Sequence, residues 1–388
     1  MAAAERITPG QIKRTNGQLI YDFIYREKKV SQQDIAYALR LSRPTVASNL
    51  SEMERAGLIC KSGQLDSDQI GRKAMAYSIV PDYRIAIGVE LAERGAKVVA
   101  VDLYGRIVAR TVLRIRYEDQ DAYYRRIGEG IQDFSASLHT EDAKILGVGL
   151  SVQALVHEDG SSLFFSRIVF RQGLNIDVFA RHLRYPCRFI HDAEAAALSE
   201  LWVVPELNDA VYFSLGQHLG GALLLNRKIR IGRHGHSALF EHMQVQPRGK
   251  LCYCGKRGCL ETLCSAQALL GEDRADEFFA AVRRGAPEQK KRWHTYLKHL
   301  GDAIYRLHLF YDETFILGGR LSSHLDESDI RLLYEEVRQR CPYEETDDFI
   351  FISRMPEDSV AVGAALPYIR RFLEHMGGDE KKPQTGIV

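Results

Sequence analysis

Three cysteines fall within eight residues, Cys252, Cys254 and Cys259, and His242 stands ten residues ahead of the first. Thiolates and an imidazole are the ligands of closed, four-coordinate zinc sites. Gly255 and Gly258, between the thiols, permit the tight turns that let the sulfurs converge. A set of three cysteines and one histidine leaves no coordination position for water, so the pattern reads as a structural zinc ion and not a catalytic one. Lys256 and Arg257 offset part of the charge of three thiolates. Cys264 is a stand-in ligand, whereas Cys60, Cys187 and Cys341 are isolated and read as structural. An odd total of seven cysteines does not make a disulfide framework; it reads as a reduced, cytoplasmic protein.

The rest of the chain must supply elements that hold such a cluster. At 388 residues, 45% hydrophobic and 27% charged, with a net charge of +1, it is long enough for two or three globular domains. A polycation, an acidic disordered chain and a low-complexity polymer are excluded. No apolar run approaches the ~18 residues of a membrane span, and the N-terminus lacks the apolar core of a secretory signal. The charge is uneven: residues 1–80 hold 12 Lys+Arg against 8 Asp+Glu, and the remainder 40 against 43. A basic head on a slightly acidic body suggests that the head faces a polyanion.

The head has a readable order. Leu19, Ile20, Phe23 and Ile24 are spaced as one helix face. Ser31 with Asp34 three residues later is a capping signal for a second helix, and Ser42 followed by Pro44 starts a third. Ala56-Gly57 ends it; strands are predicted at Leu58–Cys60 and Ala76–Val80. Helix, helix, short turn, helix and a two-stranded wing is the order of a winged helix-turn-helix. Ser42, Arg43, Thr45, Ser48, Asn49 and Ser51 are of the types that read base edges and phosphates from a major groove, and Arg72 and Lys73 in the wing suit phosphate or the minor groove. The expected partner is operator DNA.

The long pattern from His242 through Cys252, Cys254, Gly255, Gly258, Cys259, Leu260 and Glu261 to Ser265 resembles the signature of the ROK family of repressors, open reading frames and sugar kinases. Ile87–Glu90, Val101–Ile107, Ile190–Glu200, Ile316–Gly319 and Val362–Ala365 resemble its other landmarks, in the right order. The resemblance covers about residues 83–375, and with the winged helix ahead it is to the transcriptional repressor branch. It implies an α/β, actin-like body of two ribonuclease H-like lobes with a cleft between them. The expected domains are a winged helix-turn-helix at 1–82 and a ROK domain at 83–376. Within the latter, the first lobe takes about 83–190 plus the C-terminal helix and the second about 191–355. The tail, 377–388, is expected to be disordered.

Against the family's kinases the chain departs where phosphate would sit. Their Asp-x-Gly-Gly-Thr is Glu90-Leu91-Ala92-Glu93-Arg94 here, and their second glycine loop is Gly216-Gln217-His218-Leu219-Gly220-Gly221-Ala222. Asp192 matches the catalytic base, but an aspartate at a helix start is also a good cap. The expectation is no enzyme. By the same resemblance His191, Asp192, His242 and Glu261 stand at the sugar site. There the family's Asn is His191, and its Ala-Gly-Glu-x-Gly-His becomes Ser237–His242, with Leu239 in place of the glutamate. The family's Pro-Gly turn is Ser151–Ala154. These changes argue against ordinary glucose recognition.

Leu163–Arg171 reads as a lobe strand or, alternatively, as a cleft wall for a less polar or anionic ligand with Arg167 or Arg171 as a clamp. His218, His234 and His236 read as loop residues, Asp121–Leu138 as a core-packed helix, and Glu288–Arg292 as a solvated helix face; no internal repeat is found. The function expected is a DNA-binding regulator, a repressor of carbohydrate-related genes, with a sugar or sugar-derivative effector. Paired recognition helices about 34–36 Å apart call for a homodimer or a dimer of dimers. The alternatives are an ATP-dependent sugar kinase and a regulator controlled by a protein partner.

Overall fold

The computed structural model describes residues 9–65, 74–343, 348–355 and 357–376. The wing cations Arg72 and Lys73 and the tail 377–388 lie outside the described residues. The head contains α1 (Pro9–Glu27), β1 (Val30–Ser31), α2 (Gln32–Ala38), α3 (Arg43–Arg55), β2 (Ile59–Gln64) and β3 (Met75–Ile79). The capping box is formed: Ser31 accepts from the Asp34 N–H, and Asp34 accepts from the Ser31 N–H. Ser42 caps α3 by accepting from the Thr45 N–H at 3.2 Å. β1 adds a third strand to the wing sheet, in the order β1-β3-β2. Ile20, Tyr21 and Ile24 of α1 are buried, but Leu19 is exposed, so the inward face is narrower than its spacing suggests.

The body begins with β4 (Ile85–Ala92), β5 (Gly95–Val101), β6 (Ile107–Leu113), α4 (Asp121–Ser137) and β7 (Ile145–Val152). The hairpin of β8 (Leu155–Val156) and β9 (Leu163–Phe165) follows, then α5 (Asp177–Ala180), β10 (Cys187–His191) and α6 (Asp192–Val203). The second half holds β11 (Ala210–Leu215), β12 (Leu219–Leu225), β13 (Lys228–Ile229), α7 (Glu261–Cys264), α8 (Ala266–Leu270), α9 (Ala275–Arg283) and α10 (Pro287–His308). It ends with β14 (Thr314–Gly318), α11 (Glu327–Arg338), β15 (Ile350–Ile352) and α12 (Ser359–His375).

The two five-stranded sheets run β10-β7-β4-β5-β6 and β13-β12-β11-β14-β15. In each, the first three strands form an antiparallel meander, and the fourth and fifth add in parallel on the far side of the first. The topology is therefore duplicated although the sequence shows no repeat: burial patterning sets the sheet, and many sequences satisfy it. α12 returns from the second half to the first sheet. It lies so close that a Cβ on Gly88 or Gly149 would stand 1.8 Å from the carbonyl oxygen of Ala361 or Ala364.

The head is docked, not tethered. Ile20, Tyr21 and Ile24 share one buried cluster with Leu103, with Leu198 and Leu201 of α6, and with Leu366 and Ile369 of α12. Tyr25 stacks on Tyr104 with ring centroids 4.9 Å apart, and its hydroxyl donates to the Leu103 carbonyl at 2.9 Å. On the other side of Tyr104, the Trp202 indole N–H donates to its carbonyl at 2.8 Å.

Candidate functional site

His242, Cys252, Cys254 and Cys259 converge, with one ligand atom of each within 4.8 Å of all the others, an arrangement that could hold a metal ion. The fold of the loop explains this. Segment 243–246 pairs with 257–260 through Val245 and Gln246 N–H bonds to the Gly258 carbonyl and a Leu260 N–H bond to the Met243 carbonyl. Gly258 has φ 70°, and a Cβ there would lie 1.5 Å from the Gln246 carbonyl oxygen, so only glycine closes this ladder. The Cys252 N–H donates to the Lys256 carbonyl at 2.8 Å, which folds the three thiols onto one side. His242 Nδ1 is 3.7 Å from Cys252 Sγ, and Cys254 Sγ is 3.6 Å from Cys259 Sγ. Burial pushes the Cys252 thiol up to about 12 and holds His242 below its ordinary value, the neutral form a ligand needs. Burial also opposes ionisation of Cys254, but the Lys256 N–H, the adjacent thiols and the Lys256 charge outweigh it and lower that thiol. Cys264 is buried in α7, outside the set, so the stand-in expectation is corrected.

Beside this knuckle lies a cleft of about 500 Å³, including its solvent-open mouth. His191, Asp192 and His242 line it; Glu261 does not. The Glu261 carboxylate accepts from the Leu219 N–H at 2.7 Å and lies 2.7 Å from His218 Nδ1. Both of these partners, His218 and Leu219, line the cleft. His191 precedes α6, and its Nε2 is 3.3 Å from Asp192 Oδ1, which also accepts from the Ala193 N–H.

The opposite wall comes from the segment read as a strand. Only Leu163–Phe165 is strand; Phe165, Ser166, Arg167 and Ile168 line the cleft. Of the two clamp candidates Arg167 is at the cleft, whereas Arg171 is paired with Asp119 at 3.0 Å. His236 packs on Phe164 and, with His234, lies outside the lining. Glu241 is the residue that the sequence reading missed. It lines the cleft at 5% exposure, its Oε2 has no hydrogen-bond partner, and its Oε1 is 3.8 Å from His242 Nε2. Burial pushes its carboxyl up to about 8, with Glu261 and Asp192 adding to the rise. The signal was there: it is the one acid in Ser237–His242.

The β4–β5 connection is occupied by the protein's own charges. Glu93 pairs with Arg116 at 3.2 Å, while Lys97 bridges Asp358 at 2.9 Å and Glu90 at 3.6 Å. The β11–β12 turn is drawn against the knuckle by Glu261, and the Gln217 amide bonds to Gln267.

On the head, Ser42, Arg43, Ser48 and Ser51 of the third-helix region are exposed, and Thr45 is half-buried with its hydroxyl 2.8 Å from Ser42 Oγ. Asn49 is not on the reading face. It is 6% exposed and its amide donates to the Thr45 carbonyl at 2.8 Å, one helical turn back. Tyr37 on α2, 88% exposed, is a further aromatic on the same module.

Comparison with known proteins matches the winged helix-turn-helix DNA-binding family at residues 14–59 and the ROK family at residues 86–368. The xylose repressor of Caldicellulosiruptor bescii is 21% identical over 388 residues, covering 93% of this chain and 97% of that protein. The transcriptional dual regulator NagC of Escherichia coli K12 is 25% identical over 263 residues, 66% of this chain and 64% of its own length. A crystal structure of a ROK family transcriptional regulator, a homologue of the E. coli MLC protein, superposes with TM-score 0.74 at 21% identity over 95% of this chain and 98% of that one. A ROK glucokinase from Streptomyces griseus, with glucose and AMPPNP, gives 0.64 at 22% identity over 73% and 98%. No helix among the described residues is long and apolar enough to cross a membrane. With the body matched along most of its length and a winged helix matched ahead of it, the chain belongs to the ROK family.

Proposed function

We propose that the protein is a DNA-binding transcriptional regulator, acting as a repressor of carbohydrate-related genes, whose interlobe cleft senses a sugar-type effector. The observation that carries this reading is the continuous path from cleft to head. α6 starts at the cleft with Asp192; its 12 residues span about 18 Å. Two residues before its C-cap, Trp202 donates its indole N–H to the carbonyl of Tyr104, on which Tyr25 of α1 stacks. An effector that moves the start of α6 therefore shifts the head as a unit, which changes the spacing of two heads on one duplex. Ser42, Arg43, Thr45 and Ser48 contact operator DNA, with Arg72 and Lys73 on the flanking phosphates. The working unit is a homodimer or a pair of dimers. Relatives named for xylose and for N-acetylglucosamine support a sugar effector. His191, Asp192 and His242 contact it, with Glu261 steadying His218 behind.

The knuckle holds a structural zinc ion. A Zn–S length of about 2.3 Å in a tetrahedron sets donors about 3.8 Å apart, and the 3.7 and 3.6 Å separations fit it. Kinase activity is disfavoured because the first phosphate turn offers Glu93 where backbone glycines are needed. The direct test is capture of sheared genomic DNA by the zinc-loaded protein, followed by sequencing. Enrichment of fragments sharing a two-fold symmetric motif is expected; no enrichment with metal bound and the oligomer intact overturns the reading.

A further inference from the structure

Among the polar groups bordering the cleft, Glu241 is the one whose side chain is buried and left incomplete. Asp192 Oδ1 accepts from the Ala193 N–H, and both oxygens of Glu261 are used by His218 and Leu219. Glu241 Oε2 has no partner, is shielded from water, and sits on a residue 95% buried. A buried polar atom without a partner costs free energy unless something else supplies a donor. Leu239, two residues earlier on the same wall, offers none.

We propose that Glu241 is the anchoring acceptor for the cleft's ligand, and that this ligand is a neutral, polyhydroxylated molecule presenting adjacent hydroxyls. The inference rests on the reading of the cleft as an effector site. A carboxyl group offers lone pairs on two oxygens to neighbouring hydroxyls, the geometry a vicinal diol presents. The imidazoles of His191 and His218 face the same space and serve hydroxyls as donors or acceptors, and His242, with Nδ1 toward the thiols, offers Nε2 as a donor. The carboxylates of Asp192 and, next to His218, Glu261 disfavour an anionic group at that end. Leu155, Phe165 and Ile168 opposite offer an apolar face for the C–H side of a ring. Glu241 thus replaces the acceptor missing at Leu239, displaced by two positions along the loop, and the ligand's polar edge is shifted with it.

The test is calorimetric binding to the full, metal-loaded chain without DNA, using D-xylose, D-glucose and N-acetyl-D-glucosamine as neutral probes and D-glucosamine and D-glucuronate as charged ones. At least one neutral sugar is expected to bind. Glu241→Gln should weaken it about tenfold or more, and Glu241→Ala at least as much. Metal content should stay the same, and melting temperature should be no lower, because the oxygen that is replaced or removed has no hydrogen bond to lose. Binding of both variants within about twofold of the wild type overturns the proposal. So does binding of the charged sugars alone, or of none of the five. Loss of metal together with sugar also overturns it, since Glu241 would then act through His242. Because no DNA is present, a failed DNA capture sinks the regulator reading without touching this result.

Discussion

The knuckle beside the cleft and the β4–β5 connection have been treated differently. On the knuckle side, four metal-capable side chains converge and Glu261 ties the β11–β12 turn to them. Glu241 Oε2, on the cleft lining, is buried without a hydrogen-bond partner. At the β4–β5 connection charges pair among themselves: Glu93 with Arg116, and Lys97 with Asp358 and Glu90. If the cleft takes a small polar ligand, as proposed, this contrast suits recognition better than phosphoryl transfer. Catalysis needs interactions that strengthen in the transition state, whereas sensing needs only differential affinity for two conformations.

The contrast can be broken or sharpened experimentally. The largest effect is expected at the knuckle. Cys259→Ser, at a fully buried ligand position, should abolish stoichiometric metal in a plasma emission measurement. Loss of a few kcal/mol of metal-linked folding energy should lower the melting temperature by about 10 °C or more. An unchanged melting temperature in the metal-free variant would remove the structural role from the knuckle. The joint comes next. Tyr104→Ala removes the stacking partner of Tyr25, and coupling energies between sites are typically about 1–3 kcal/mol. The effector's influence on operator affinity, read by fluorescence anisotropy, should shrink by about fivefold or more; full retention would show that the signal takes another route. On the phosphate side the effects should be small. Lys97→Ala breaks half-exposed ion pairs and should cost about 1 kcal/mol, a melting shift of about 2–4 °C. Smallest of all, Mg-ATP with a panel of hexoses should yield no ADP above background; sustained sugar-dependent turnover would erase the contrast.

The knuckle was legible because its thiols are neighbours in sequence, so local turns suffice to gather them. The head was legible because caps at Ser31 and Ser42 are short-range signals, and both form. What escaped depends on angle or distance. Asn49 is four residues after Thr45, so on a helix the two share a side, and the amide turns back to the Thr45 carbonyl instead of outward. Glu261 directly follows a ligand segment, yet its carboxylate is engaged by Leu219 and His218, more than forty residues earlier in the chain. The docking of α1 joins residues that lie hundreds of positions apart, such as Gln18 and the Leu373 carbonyl, and no local pattern announces that. Nor did the duplicated sheet order leave a trace in the sequence.

The close approach of α12 to Gly88 and Gly149 has a consequence for how this molecule can vary. Backbone rests on backbone there, so even a methyl group has nowhere to go. The cleft wall, by contrast, is made of side chains that can be exchanged without moving the main chain. A library that randomised both regions should return survivors with new residues at 239 and 241 and none at 88 or 149. The specificity of the sensor is free to drift, while the bearing surface beneath it is locked.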